Sequence, residues 1–342
     1  MNLLRTVVAA ASLAVAAPTV ASAQTELIFN AYLPPFDEMY QSTIKGLAAA
    51  IEKESGGDIT VTIPDSTLAP SDRQYEMVRD GIADMALVSS GAVPQLVTLN
   101  RIADLPFNSP SARAASIALW ETYNKYFKEF DELKGVKVLS MHVLPGRQIL
   151  SVSGVQVHNP SELEGVKLWS PPGALFETAE QMGAVPINTE FTDLQEYVTK
   201  GNVDAIIMTP GSANGARVLE NVTSYTEIPG GLGSLSFAVF ISQERWDELS
   251  KEDQQAIQRA VDGQPERSGA SSDANEAKVD DIVAKITAIV PDGDDLQAFK
   301  DVLNQRVEAW KEKAAAKGLE NPDEVLDFYR QELDRETQTA AD

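Results

Sequence analysis

Apolar positions along this chain change their spacing twice in the same order. Between Ser71 and Val88, Tyr75, Val78 and Ile82 recur at helical intervals. The turn Gly81-Ile82-Ala83-Asp84 interrupts them, and Met85-Ala86-Leu87-Val88 follows as an unbroken apolar run. Between Thr192 and Met208 the order returns with Leu194, Tyr197 and Val198, then Gly201-Asn202-Val203-Asp204, then Ala205-Ile206-Ile207-Met208. Ser71 with Gln74, and Thr192 with Gln195, stand at capping-box spacing. An extended apolar segment precedes each copy, Ile59 to Ile63 and Ala184 to Ile187. Each copy therefore predicts a β-α-β unit around a buried parallel sheet. Two such units imply two α/β lobes, and a cleft between lobes is a common place for a small solute.

The remaining pattern fills in the lobes. Thr25 to Ala31 reads as a first strand that ends in Tyr32-Leu33-Pro34-Pro35, which continues neither a helix nor a central strand. Glu38 to Gly56 predicts an amphipathic helix. Ser111 to Phe130 predicts another, with Ala115, Ala118, Leu119 and Thr122 near one face. Val136 to Val143 is a strand, and Gly146 to Val152 follows as a crossing into the second lobe. Pro160 to Glu164 reads as a helical turn, Val166 to Trp169 as a strand, Gly173 to Met182 as a helix and Ser234 to Ile241 as a strand. Thereafter the pattern is helical: a helix capped by Ser250 and Asp253 to Val261, then Ser272 to Ile289, Leu296 to Lys317 and Pro322 to Glu336. Gly263-Gln264-Pro265 breaks the run between the first two, and the polar tail after Glu336 predicts fraying.

The N-terminus changes the picture of where the chain works. Arg5 is its only charge, an apolar stretch runs from Thr6 to Ala17, and Ala21-Ser22-Ala23 has a small-x-small pattern. These are the marks of a secretory signal peptide over residues 1–23, cleaved after about Ala23, with export to the periplasm as the expectation. The apolar stretch falls short of the roughly 20 residues that a membrane anchor needs.

Composition narrows the chemistry. The 342 residues contain no cysteine, which removes disulfides, thiol nucleophiles and a lipoprotein anchor from consideration. Formal charge is −23, and loss of Arg5 with the signal peptide takes it to −24, a field that disfavours nucleic acid and anionic membranes. His142 and His158 are the only histidines and form no helical pair, so no metal site is expected and no cofactor is called for. Gly230-Gly231-Leu232-Gly233 lacks the lysine and following helix of a phosphate loop, and no Gly-x-Ser-x-Gly elbow occurs. The chain is therefore not expected to be an enzyme. An exported hydrolase using two of its many carboxylates stays as a weaker alternative, and an exported sensory receptor as another.

The segments Ser71-Asp72-Arg73, Gly81-x-x-Asp84-Met85-Ala86, Leu105-Pro106-Phe107, Gly146-Arg147, Leu163 to Leu168 before Pro171, Gly183-Ala184, Gly201-x-x-Asp204 and Trp246 with Leu249-Ser250 occur in a characteristic order. In that order the chain resembles the solute receptors of tripartite ATP-independent periplasmic (TRAP) transporters over nearly all of its mature length. The resemblance implies a two-lobed periplasmic-binding-protein fold of type II-like form, with a cleft between the lobes and long helices in the C-terminal third. It also implies a monomeric receptor that binds a small organic solute and delivers it to an ion-gradient-driven TRAP permease. Residues 24–145 with about 233–270 are expected in the first lobe, 146–232 with about 271–336 in the second, and 337–342 as a frayed tail.

The resemblance also places a ligand site and shows where this chain departs from it. The family's usual pattern has an arginine two residues after the strand lysine, where it clamps a substrate carboxylate. Here that residue is Trp169, two after Lys167, which offers a flat π face and one donor. Packing at the lobe interface and contact with ligand both stand as readings of Trp169. Arg147 matches a second arginine that family members often point into the cleft, although an Arg after Gly at a strand end reaches solvent equally well. Tyr32 and Ser89 match cleft-lining positions of the first lobe, and Met208 with Thr209 stands where the family often has an amide. With the clamp replaced, a monocarboxylate, a zwitterion or a small amine is expected in preference to a dicarboxylate.

Overall fold

The computed structural model describes residues 24–171, 173–189 and 193–339. Its strands are β1 Thr25–Asn30, β2 Ile59–Thr62, β3 Met85–Ser89, β4 Val136–Val143, β5 Gln148–Ser151, β6 Lys167–Trp169, β7 Val185–Ile187, β8 Ala205–Met208, β9 Ser224–Thr226, β10 Ser236–Ser242 and β11 Thr287–Ile289. They form two sheets, ordered β2-β1-β3-β10-β4 and β11-β9-β5-β8-β6-β7. In the first, β1 pairs in parallel with β2 and β3, while β10 runs antiparallel to β3 and β4. In the second, β6 pairs in parallel with β7 and β8, while β5 runs antiparallel to β8 and β9.

The two repeats thus fold alike, and the shared Gly-x-x-Asp turn shows why. Gly81 and Gly201 both take positive φ, 74° and 70°, where a helix ends in a left-handed residue. The next amide folds back, Ile82 N–H to Met77 O and Asn202 N–H to Tyr197 O, which closes each helix as a Schellman motif. Each aspartate then ties its strand to the neighbour in the sheet. Asp84 Oδ2 accepts from Ile28 N–H at 2.7 Å, and Asp204 Oδ2 from Lys167 N–H at 3.0 Å. The strands that follow are apolar because both faces are covered: Met85 to Val88 and Ala205 to Met208 are all buried.

Several expectations shift. Ser71 does not cap its helix: Pro70 precedes a 3₁₀ turn there, and Gln74 instead turns inward to Asn30 and to the carbonyls of Ala69 and Pro70. Thr192 lies outside the described residues. Ile82 falls beyond the helix end and is exposed, with Met77 buried in the helix instead. The helix expected over 272–289 starts earlier, Gln264–Ala277, and gives way to a short turn of helix and to β11. Gly263 does break the run, in a left-handed conformation. The helix Pro322–Thr339 includes residues 337–339, expected to fray, and packs on Ala112–Thr122 over Leu99, Ile102 and Met141. Its packing is with the first sheet's layer, not the second's as expected, because Tyr329, Leu326 and Leu333 bury their apolar stripe there.

Three backbone segments meet where the chain passes between the sheets. Phe107 N–H bonds Gly231 O, Ser109 N–H bonds Gly230 O, Gly146 N–H bonds Ser109 O, and Arg147 exchanges backbone bonds with Leu232 and Gly233. A Cβ on Gly146 would lie 2.6 Å from the Gly230 carbonyl oxygen, and one on Gly231 2.5 Å from Gly146 Cα, so only glycine permits this approach. The helix Gln264–Ala277 touches elements of both layers, packing on Ala112–Thr122 and β4 and, through Glu276 near its end, on Pro210–Gly215. At Gly269 its backbone approaches Ala112 and Arg113, whose N–H groups both donate to Asp273.

Candidate solute-binding site

In both sheets the parallel strands deliver their carboxyl ends to the side where the expected site residues lie. Open α/β sheets characteristically bind ligands at such ends. On the second sheet, β6 ends in Trp169, β8 in Met208 followed by Thr209, and β5 begins just after Arg147. Gln148 pairs with Met208 at the end of the ladder, with Arg147 just before the one and Thr209 just after the other. On the first sheet, Tyr32 follows β1 and Ser89 ends β3.

Arg147 is only 7 % exposed, and its Nε has no hydrogen-bond partner. Among the described residues it forms no ion pair. Burial pulls its pKa down to about 10 against the opposing charge of Glu276. Arg306 is a useful contrast. It is equally buried, but it donates to the carbonyls of Leu232 and Asp104 at 3.0 Å each and so pins the lobe crossing. A desolvated guanidinium without partners costs free energy that a bound oxyanion would recover.

Trp169 is buried among Leu150, Ile206, Met208 and Leu194, with its indole N–H unpartnered. Ser170, which the sequence did not single out, is fully buried with an unpartnered hydroxyl. Met208 joins the same apolar cluster as Trp169. Thr209 caps the helix Pro210–Gly215 by accepting from Ser212 N–H, and donates to Glu276 Oε1 at 2.7 Å. Glu276 also accepts from Gly211 N–H at 2.7 Å. Burial raises its pKa, resisted by those two bonds and by Arg147.

On the first sheet the Tyr32 hydroxyl is held well above its ordinary pKa by burial and by Asp37. Ser89 Oγ accepts from Gly91 N–H at 3.2 Å. The structure thus gathers Arg147, Trp169, Met208 and Thr209 on adjoining strands, with Tyr32 and Ser89 at the matching end of the other sheet. Two surface hollows, about 530 Å³ beside Trp120 and about 370 Å³ beside Phe107 and Gly230, include none of the six. Glu276 escaped sequence reading because it is one acid among 51 Asp and Glu residues. Its partners come from a strand end 67 residues away.

Residues 29–313 match the bacterial extracellular solute-binding proteins of family 7. The chain belongs to this family, the receptors of TRAP transporters. Family 7 receptors bind small organic solutes and deliver them to a membrane permease, and they are binding proteins, not enzymes. The chain is 32% identical to the outer membrane transporter protein TsaT of Comamonas testosteroni, over 96% of this chain and 98% of that one. It is 22% identical to the ectoine-binding periplasmic protein TeaA of Halomonas elongata, over 86% and 88%. Among solved structures, a TRAP periplasmic solute-binding protein from Bordetella bronchiseptica superposes with a TM-score of 0.82 at 26% identity, covering 91% of this chain and 99% of that one. That receptor holds (R)- and (S)-mandelate. The family 7 fold also agrees with the two sheets and the long C-terminal helices seen here.

Proposed function

We propose that the mature chain is a monomeric periplasmic receptor, exported by cleavage after about Ala23, that binds a small monocarboxylate through Arg147 and delivers it to its TRAP permease. The two sheets are read as the two lobes, with the crossings at residues 144–147 and 230–235 as the hinge. The observation that carries the ligand class is the buried Arg147 guanidinium with an unpartnered Nε. A carboxylate satisfies such a group in a charge-assisted pair, and the family's second clamping position is Trp169, which brings no second positive charge. The Trp169 indole N–H and the Ser170 hydroxyl are further unpartnered donors on β6 and just beyond it, suited to an acceptor-rich ligand. The mandelate held by the similar Bordetella receptor, an aromatic monocarboxylate, supports the same class. Tyr32, Ser89, Met208 and Thr209 are assigned to the lining on their strand-end positions.

Calorimetry on the mature protein with mandelate, benzoate and succinate tests this. The two monocarboxylates bind and succinate does not. Arg147→Met weakens mandelate binding at least 100-fold, about 3 kcal/mol, as expected for removing one side of a buried charged hydrogen bond. The melting temperature of the unliganded variant stays level or rises, because an unpaired desolvated charge has gone. Equal affinity in variant and parent would remove Arg147 from the site.

A further inference from the structure

Resting on the carboxylate reading of Arg147, we propose that Glu276 sets the ligand's charge: it is the fixed negative group that admits one carboxylate beside Arg147 and rejects a second. Glu276 lies near the end of the helix that touches both layers, and two contacts hold its carboxylate in place. Thr209 Oγ1 donates to Oε1 and Gly211 N–H donates to Oε2, each at 2.7 Å. The position at Gly211 is built for this approach, since a Cβ there would meet the Glu276 carboxylate at 2.6 Å. Thr209 directly follows Met208 and Arg147 directly precedes Gln148, and Met208 and Gln148 are paired across adjoining strands, which brings the carboxylate to the arginine's neighbourhood. Arg147 and Glu276 feel each other as opposing charges, yet no ion pair joins them among the described residues, so the guanidinium remains available to ligand.

The charge balance follows directly. One fixed cation and one fixed anion leave the empty site neutral. A bound monocarboxylate leaves it with one net negative charge, and a dicarboxylate with two, the second repelled by Glu276. Asp273, one turn earlier on the same helix, adds to the negative side while its own oxygens accept from Ala112 and Arg113. At the short range and low polarity of such a site, one like charge is worth roughly a factor of ten or more in affinity. A charge-selecting role is separable from a merely structural one, because loss of structure weakens all ligands alike.

Glu276→Gln keeps one acceptor for Thr209 or Gly211 and removes the charge. Calorimetry on the mature protein with mandelate and succinate is expected to show succinate, which the parent does not bind, binding measurably to the variant, at least tenfold more tightly than the parent's detection limit. Glu276→Asp, which keeps the charge, still excludes succinate while binding mandelate. Continued exclusion of succinate by Glu276→Gln with mandelate still bound would overturn the role of Glu276 while leaving Arg147 as the anchor. Loss of mandelate binding in a variant whose melting temperature is unaltered would also overturn it, making Glu276 a direct ligand contact. Failure of the parent to bind any monocarboxylate would instead overturn the reading of Arg147.

Discussion

His142 sits one residue from the end of β4, completely enclosed, with Nδ1 3.5 Å from Ser116 Oγ and Nε2 3.3 Å from Ser272 Oγ. Ser272 donates to Glu38 Oε2, so this imidazole joins a strand, the helices Ala112–Thr122 and Gln264–Ala277 and the start of the helical segment that begins at Glu38. Burial pushes its pKa down to about 4, and Glu38 only partly offsets this. A base that is neutral when folded is protonated first in the unfolded chain, so its contribution is intact above about pH 6.5 and is lost as pH falls toward 4. The loss is on the order of 3 kcal/mol at most. Asp104, raised to about 6 by burial, works in the opposite direction over part of that range. The difference between parent and His142→Gln isolates the histidine: denaturant titrations at pH 7 and pH 4.5 should show the parent losing more stability than the variant. Equal losses would mean that the histidine takes up its proton as readily in the fold as in the unfolded chain. At this scale the sequence placed Trp169 at a strand end and Arg147 at a crossing, where the structure has them. It did not single out Ser170, whose buried hydroxyl lacks a partner, or Glu276, whose hydrogen-bond partners lie more than 60 residues away.

Among elements, those governed by local chemistry emerged as expected. Ser250 caps its helix through Asp253 N–H, and Gly81 and Gly201 end theirs. The departures arise where a distant partner outweighs the local signal. Gln74 leaves its capping position because Asn30 offers a buried amide partner at 2.8 Å. The segment around Thr287–Ile289 becomes a strand because β9 presents an open edge to it, although Ile286, Thr287, Ile289 and Val290 carried a β-branched signal that the helical pattern obscured. The Gly230 to Gly233 run, which lacks the lysine and following helix of a phosphate loop, forms part of the crossing between the sheets, bonding to Phe107, Ser109 and Arg147. Gly146→Ala tests how tightly that crossing is packed. Its Cβ would press on the backbone of Gly230 and Ser109, not on a side chain that can swing away. The variant should lose at least ~2 kcal/mol in a denaturant titration. A loss below about 0.5 kcal/mol would show that the crossing segments separate at little cost.

Across the whole molecule, the repeated Gly-x-x-Asp units made two lobes visible, because each unit is written in consecutive residues. The pattern also led to an expected crossing at Gly146 to Val152 and a return to the first lobe at about residue 233, without showing which strands those crossings insert. β4 of the first sheet leads directly to β5 of the second, and β9 of the second leads, through the crossing, to β10 of the first. Each of these crossings supplies the antiparallel strand beside the third parallel strand of the sheet it enters. The two insertions are equivalent in space but not in time. Synthesised from its N-terminus, the chain has β5 in hand before β6 to β9 appear, so strands between residues 148 and 226 can complete most of the second sheet from one continuous stretch. The first sheet lacks its middle until residues 236–242 arrive, because β10 lies between β3 and β4. Until then Ala86, Leu87 and Val88 present an unpaired apolar strand edge, the kind of surface that invites mispairing. The second sheet should therefore form before the first. In pulse-labelled hydrogen exchange during refolding, amides of β8 should gain protection before those of β3, and simultaneous protection would mean that β10 docks as early as the strands it joins.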